Sequence, residues 1–178
     1  MATLKPPVNE NDHQTGNRRA AVTLVEYGDY QCPHCGHAYP LLKHLVKEKG
    51  DAVRFVFRNF PLQDVHPMAL PSALAAEAAG KQGKFWEMHD LIFEHQNELS
   101  QHVLLDFAYT LDLDAKKFMH DWESEAILAR VDNDFESGVR SGVNGTPGFF
   151  VNGEMLDSYD GSYASLLRAI EMRNNLSV

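Results

Sequence analysis

Cysteine is scarce in this sequence. There are two in 178 residues, Cys32 and Cys35. With no second pair, a zinc site of four ligands lacks half its usual sulfurs. Basic residues are also few, 16 against 25 acidic for a net charge of −9. That balance disfavours nucleic acid or an anionic membrane as partner, since both reward clustered Lys and Arg. An acidic surplus of this kind serves solubility. No run of 18 apolar residues indicates a membrane span, and there is no internal repeat or low-complexity tract. The opening, "MATLKPPVNENDHQTGNRRA", has polar residues and prolines where a secretory signal needs an apolar stretch of about 7–15 residues. As written, the chain is expected in the cytoplasm. The alternative is a periplasmic or other extracytoplasmic location if a signal has been removed.

The length suits one well-filled domain. Residues 1–18 are expected to be a flexible or draped lead-in, and 19–175 the domain. "AAVTLVEY", residues 20–27, is apolar and β-branched up to Gly28 and predicts a buried strand. Helical spacing over 36–49, with Gly50 as a stop, predicts a helix carrying Pro40 and a kink near it. "VRFVFRNF", 53–60, predicts a second strand. Strand, loop, helix and strand make a right-handed βαβ unit whose first loop holds the cysteines. Residues 65–135 turn alanine-rich and helical, an expected insertion of several helices. Asp114 is a candidate helix cap there, and Phe85 and Trp86 belong to the insert's core. Strand signals return at "GFFVNGEML", 148–156, where Asn152-Gly153 predicts a hairpin. An amphipathic helix closes the chain. The plan is α/β and thioredoxin-like: a mixed sheet flanked by helices, with a helical subdomain inserted.

The motif "CPHC" admits three readings: metal clip, structural staple and reactive dithiol. A disulfide between near neighbours closes a tiny loop and removes little unfolded-state entropy. A metal would need help from histidine, but His37 and His44 stand two helical turns apart, roughly 10 Å by helical rise. The strand-to-helix setting favours the dithiol. Cys32 would sit at the mouth of the helix, facing unpaired N–H groups and the positive end of the helix dipole. Pro33 suits the first turn, having no N–H. Cys35 lies one turn further in. Cys32 is therefore the expected attacking cysteine and Cys35 the resolving one, with His34 as a cationic or hydrogen-bonding neighbour of the Cys32 thiolate. A thiolate so favoured makes the reduced form stable and the couple oxidising. Far along the chain, Thr146-Pro147 precedes a strand. Proline tolerates a strand's first position, and an X-Pro bond can also be cis as a specific turn feature.

Four motifs in order carry a resemblance: Asp12-His13 with Gly16, "LVEYGDYQCPHCG" over 24–36, "GKFWEMHD" over 83–90, and "GTPGFFVNG" over 145–153. Over residues 12–172 the chain resembles the bacterial DsbA-like thiol–disulfide oxidoreductases of the thioredoxin superfamily. The resemblance implies a cis Pro147 packed against the active-site sulfurs, a Thr146 backbone that pairs with an extended substrate peptide, and a mixed disulfide between substrate and Cys32. It makes Glu26 a partly buried acid that moves a proton to or from Cys35; from the residues alone, Glu26 could equally be a solvent-facing strand acid. The family often opposes this acid with a lysine on the second strand, where this chain offers only Arg54 and Arg58. Gly148 stands where a bulkier residue is usual and could widen the peptide groove.

The expected activity is thiol–disulfide exchange with protein or small-molecule thiols, with no cofactor beyond the Cys32–Cys35 disulfide itself. The expected partners are cysteine-containing proteins or peptides and an unidentified redox partner, with no nucleic acid and no membrane span. Two alternatives remain: a cytosolic reductase or isomerase, and a non-catalytic redox-sensing module that holds a peptide beside Pro147. A glutathione-transferase-like role is disfavoured by the CxxC pair.

Overall fold

A computed structural model describes residues 2–175. Its centre is the pair of apolar strands β2 (Val22–Gly28) and β3 (Val53–Asn59), which run parallel with Glu26 beside Phe57. The crossover between them is α1 (Pro33–Lys49), which continues through Pro40. β4 (Gly148–Val151) pairs antiparallel with β2, and β5 (Glu154–Met155) folds back onto β4. Asn152 and Gly153 take φ of 50° and 84° at that turn. A two-residue hairpin needs both angles positive, which is why Asn-Gly is favoured there.

Residues 13–16, expected to lie in a loose lead-in, instead form an edge strand. β1 (His13–Gly16) pairs antiparallel with β3 and completes the order β1-β3-β2-β4-β5. Its four residues carry no apolar alternation, so the sequence pattern hides it. Side-chain contacts hold it instead. The His13 ring stacks on Phe85, and its Nε2 meets Glu77 Oε2 at 2.8 Å.

Between β3 and β4 the chain is helical: α2 (Ala69–Gly80), α3 (Phe85–Glu94), a 3-10 turn at Gln96–Glu98, α4 (Gln101–Thr110), α5 (Ala115–Trp122) and α6 (Glu125–Arg140). Ser100, Asp114 and Ser124 cap the last three by accepting from Val103, Lys117 and Ile127 N–H. α2 buries alanine nearly all round, which lets its neighbours approach closely. Phe85 is buried, and Trp86 donates its indole N–H to the Gln14 carbonyl, so both belong to the insert's packing. α7 (Tyr163–Asn175) ends the described chain.

Period-two alternation sorts the strand side chains. Val22, Leu24, Phe55, Phe57, Phe149 and Val151 pack toward α1, against Ala38, Leu42 and Leu45. Glu26 shares that face by its register. Val25, Tyr27, Val56 and Phe150 pack on the other side, with Leu4, Phe60 and Val143. Both faces are covered, as parallel central strands require.

The second face also holds a buried ion pair. Arg58 Nε and Nη2 donate to Asp12 Oδ1 and Oδ2 at 2.8 and 3.0 Å, and Nη1 donates to the Tyr27 hydroxyl at 2.9 Å. Both partners are almost fully buried. The pair ties the N-terminal segment to β3. Removing one member leaves the other's charge buried and unpaired, a cost of about 3–5 kcal/mol. Asp12→Ala is therefore expected to lower the unfolding free energy by ~3 kcal/mol in urea titration. A loss below ~1 kcal/mol would show that the N-terminal segment is not held by this pair.

Candidate active site

α1 begins at the cysteines. Cys32 is its N-cap, in extended backbone at φ −68° and ψ 123°, and Pro33 is the first helical residue. Gly36 N–H donates to the Cys32 carbonyl at 3.0 Å, the first bond of the helix. Cys32 is 4% exposed and Cys35 is fully buried; both are free thiols. One turn of helix thus separates a cysteine with a small exposed edge from one fully enclosed.

The two sulfurs differ sharply in acidity. Cys32 is lowered to about 5, chiefly because the Cys35 thiol hydrogen-bonds to it. Partial burial opposes this; contact with Thr146 and the backbone N–H groups of Cys35 and His34 reinforce it. Cys35 is pushed well above its usual range, first by burial, although Asp29 N–H donates to its sulfur at 3.4 Å. His34 itself is exposed, and what it brings to Cys32 is its backbone N–H.

Thr146 and Pro147 come to this pair from far along the chain. Their peptide bond is cis, and the Cys32 thiol donates to the Thr146 carbonyl at 3.4 Å. Thr146, Pro147, His34, His37 and Tyr159 line a depression of about 320 Å³ beside the cis peptide. His37 is exposed and bonds the Gly161 carbonyl at 2.9 Å, as a surface residue would. Gly148 does not widen this depression: a Cβ there would stand 3.0 Å from Val143 Cγ1, so Val143 already fills the space.

Glu26 is not a solvent-facing acid. It is 2% exposed, and its Oε1 has no hydrogen-bond partner among the described residues. Burial, and then the negative charge of Cys32, raise its pKa to about 8. No lysine faces it from β3. Phe57 holds the facing register, and Arg58, one residue on, projects to the other face and pairs with Asp12.

Three further residues hold the loop. Asp29 is buried, and its Oδ1 accepts from Gln31 and Cys32 N–H at 2.7 and 3.1 Å. Its Oδ2 takes Leu62 N–H at 2.9 Å and His66 Nδ1 at 2.8 Å. An aspartate three residues before the helix cap is a readable signal for such a turn. Gln96 donates to the Tyr30 and Cys32 carbonyls, both at 2.9 Å. Gly36 makes room for it, since a Cβ there would stand 2.2 Å from Gln96 Oε1. The Tyr30 hydroxyl meets His89 Nδ1 at 3.0 Å. Gln96 and His89 lie some sixty residues away in sequence; His89 falls within the "GKFWEMHD" motif, while nothing local flags Gln96.

A family model described as thioredoxin matches residues 8–172. The chain belongs to the thioredoxin family. Among solved structures, this thioredoxin-family protein is similar to BdbD from Bacillus subtilis in its oxidised form, with a TM-score of 0.83, 25% identity and 98% of each chain covered. It is also similar to a thioredoxin-like oxidoreductase from Silicibacter pomeroyi, with a TM-score of 0.80, 27% identity and 94% of each chain covered. These findings agree with the resemblance drawn from the motifs in family and in fold. In sequence it is 47% identical over 161 residues to the Na(+)/H(+) antiporter NhaA 1 of Salinispora arenicola, covering 90% of this chain and 24% of that protein. The chain thus spans about a quarter of the length of the curated relatives it matches. Among the described residues, no helix is long and apolar enough to cross a membrane.

The raised acid and the lowered thiol pull stability in opposite directions with pH. Glu26 binds a proton more tightly folded than unfolded, so its contribution is fully present below about 4.5 and is lost as pH rises toward 8. Cys32 binds its proton less tightly folded, so its contribution grows as pH rises from about 5 toward 9. In the dithiol form the two slopes largely cancel. In the disulfide form Cys32 does not titrate, and Glu26 is expected to contribute a fall of up to ~1.4 kcal/mol per pH unit to urea unfolding between pH 5 and 7, superimposed on the opposite slope of buried His89, whose pKa is lowered to about 3. Glu26→Gln removes that fall; a variant with the same pH dependence as the parent would mean another group is responsible.

Proposed function

We propose that the protein exchanges the Cys32–Cys35 disulfide with thiols of protein or peptide substrates, with Cys32 as the attacking and attacked sulfur. The observation that carries this reading is the split between the two thiols: one near the surface and ionised at neutral pH, the other buried and protonated. In the oxidising direction a substrate thiolate attacks Cys32 Sγ. The S–S bond breaks, its electron pair leaves on Cys35, and Cys35 takes a proton from the Glu26 carboxyl. A second substrate thiolate then attacks its own sulfur in the mixed disulfide and releases Cys32 as a stable thiolate. The reducing direction runs the same steps backward. A separate redox partner must restore the starting state.

The direction we favour is oxidation. A Cys32 pKa of about 5 stabilises the reduced form at pH 7. Two units below the ambient pH correspond to ~2.7 kcal/mol, which raises a two-electron potential by about 60 mV. The Thr146 backbone beside Cys32 offers a strand edge for an extended peptide, as in strand addition. Peptides carrying cysteine are accordingly the substrates we infer.

Two measurements test this. Equilibration with glutathione is expected to give a potential well above that of cytosolic thioredoxins, about −270 mV; a value near that figure rejects the oxidant and favours a reductase. Cys35→Ala is expected to trap a mixed disulfide at Cys32 when the Cys32 thiolate attacks a peptide supplied in the disulfide form, the peptide's other sulfur leaving as a thiolate. The same substitution removes the leading cause of Cys32's acidity, so half-maximal alkylation by iodoacetamide moves above pH 5. If no mixed disulfide forms and the parent shows no turnover of a dithiol peptide, the site binds without catalysing exchange.

A further inference from the structure

The chain leaving β3, residues 61–68, lies against the turn that presents Cys32. Three contacts stitch the two together. Leu62 N–H donates to Asp29 Oδ2 at 2.9 Å, Met68 N–H donates to Gln31 Oε1 at 2.6 Å, and His66 Nδ1 meets Asp29 Oδ2 at 2.8 Å. The first two use backbone donors of this segment. The third depends on the side chain at position 66. The segment turns that ring inward and leaves its neighbour Val65 67% exposed. Apolar burial alone favours the reverse arrangement. The Asp29 carboxylate accounts for it: that side chain is 0% exposed, and the His66 side chain reaches from it to solvent with 20% exposed.

The ring nitrogen at Asp29 is a donor. A carboxylate only accepts, and Oδ2 already accepts Leu62 N–H, so Nδ1 carries a proton. On the other side of the same carboxylate, Oδ1 accepts Cys32 N–H at 3.1 Å and Gln31 N–H at 2.7 Å. A line of contacts therefore runs from His66 through Asp29 to the backbone of Cys32. We propose that His66 is a positioning residue of the exchange reaction, acting through Asp29 to hold the turn that presents Cys32 as a thiolate. This inference rests on the thiol–disulfide reading and deepens it.

Two effects act in one direction. Asp29 places a carboxylate one hydrogen bond from the Cys32 backbone, and a nearby negative charge disfavours a second one. Donation from His66 offsets part of that charge. The same bond fixes the carboxylate in the orientation that grips the turn, so the N–H groups of His34 and Cys35 stay aimed at the Cys32 sulfur. Without His66 the carboxylate keeps three backbone donors and loses its one side-chain donor. Its charge is then less offset and the turn is looser, and both changes disfavour the thiolate.

Cys32 itself reports the effect. Half-maximal alkylation by iodoacetamide, expected at about pH 5 in the unmodified protein, is measured in two variants. His66→Leu fills the space without a donor. His66→Asn offers an amide N–H in place of Nδ1. His66→Leu is expected to move the midpoint up by about one pH unit, and His66→Asn by less than about a third of that. At pH 7 the reduced form of His66→Leu is then about tenfold less favoured against glutathione, a potential lower by ~30 mV. The other ionisable groups beside Cys32 are Cys35 and His34 on α1, Glu26 on β2, and Tyr159 and Asp160 before α7. Both variants leave them in place. Lost packing alone lowers stability in urea without separating the two thiol midpoints. His66→Ala, measured alongside, answers the same question where leucine does not fit. An unchanged midpoint in the folded donor-free variants, or an equal shift in His66→Asn, overturns the positioning role. These titrations need no substrate: a protein that shows the expected shifts but does not turn over a dithiol peptide keeps the link between His66 and Cys32 and loses the exchange reading.

Discussion

The Asp29 carboxylate holds the active site in place. Its two oxygens gather donors from the loop before α1, from the segment after β3 and from His66. A buried carboxylate is costly unless its lone pairs are taken up, and here four donors take them up. Because two of those donors are the N–H groups of Gln31 and Cys32, the entry to α1 is fixed in direction. Gln96 fixes the carbonyls of the same turn from the other side. The sulfur of Cys32 therefore meets the helix N–H groups without moving to find them. Such preorganisation is what makes an electrostatic effect strong in a low-dielectric site.

The same turn also produces the contrast between the thiols. Cys32 stands where a negative charge finds donors, and Cys35 stands one turn deeper where burial forbids charge. Glu26 feels both conditions at once. It is desolvated by the sheet and the helix above it, and it is near enough to Cys32 for that negative charge to raise its pKa further. Arg58, which might have neutralised it, projects to the other side of the sheet and is engaged there by Asp12. The ordinary alternation of β3 thus keeps the acid unpaired, and an unpaired buried acid with a pKa near the working range suits proton transfer.

Much of this was legible in the sequence, where the residues act locally. The strands at 22–28 and 53–59 announce themselves by apolar, β-branched composition. The helix at 33–49 is announced by Pro33 and Gly50, and the hairpin by Asn152-Gly153. What was hidden acts at a distance. β1 has no apolar period and is held by His13 stacking on Phe85 and by Asp12 pairing with Arg58, contacts that span 72 and 46 positions. Gln96 and His89 reach the loop from the turn after α3 and from α3 itself; the "GKFWEMHD" motif contains His89 without stating what it touches, and no local pattern marks Gln96. Glu26 stood between two readings because alternation alone states which residues share a face. It does not state that both faces are covered; the helices from elsewhere in the chain decide that.

The inserted helices do more than fill out the core. α3 contributes His89 and Asp90 to the space behind Glu26, the turn after it contributes Gln96 to the front of the site, and α2 and α6 contribute Glu77 and Asp134 to a polar cluster around Asn59 at the end of β3. Through Asn59 and Leu62 the chain leaving β3 is tied on one side to the insert and on the other to Asp29. A shift of the insert relative to the sheet would loosen the loop that presents Cys32. It would also change the packing behind Glu26, since α3 lines that space. One group of helices therefore acts on both the acidity of the attacking sulfur and the burial of the acid behind it. The two halves of the exchange, electron pair at the front and proton at the back, share this single mechanical support.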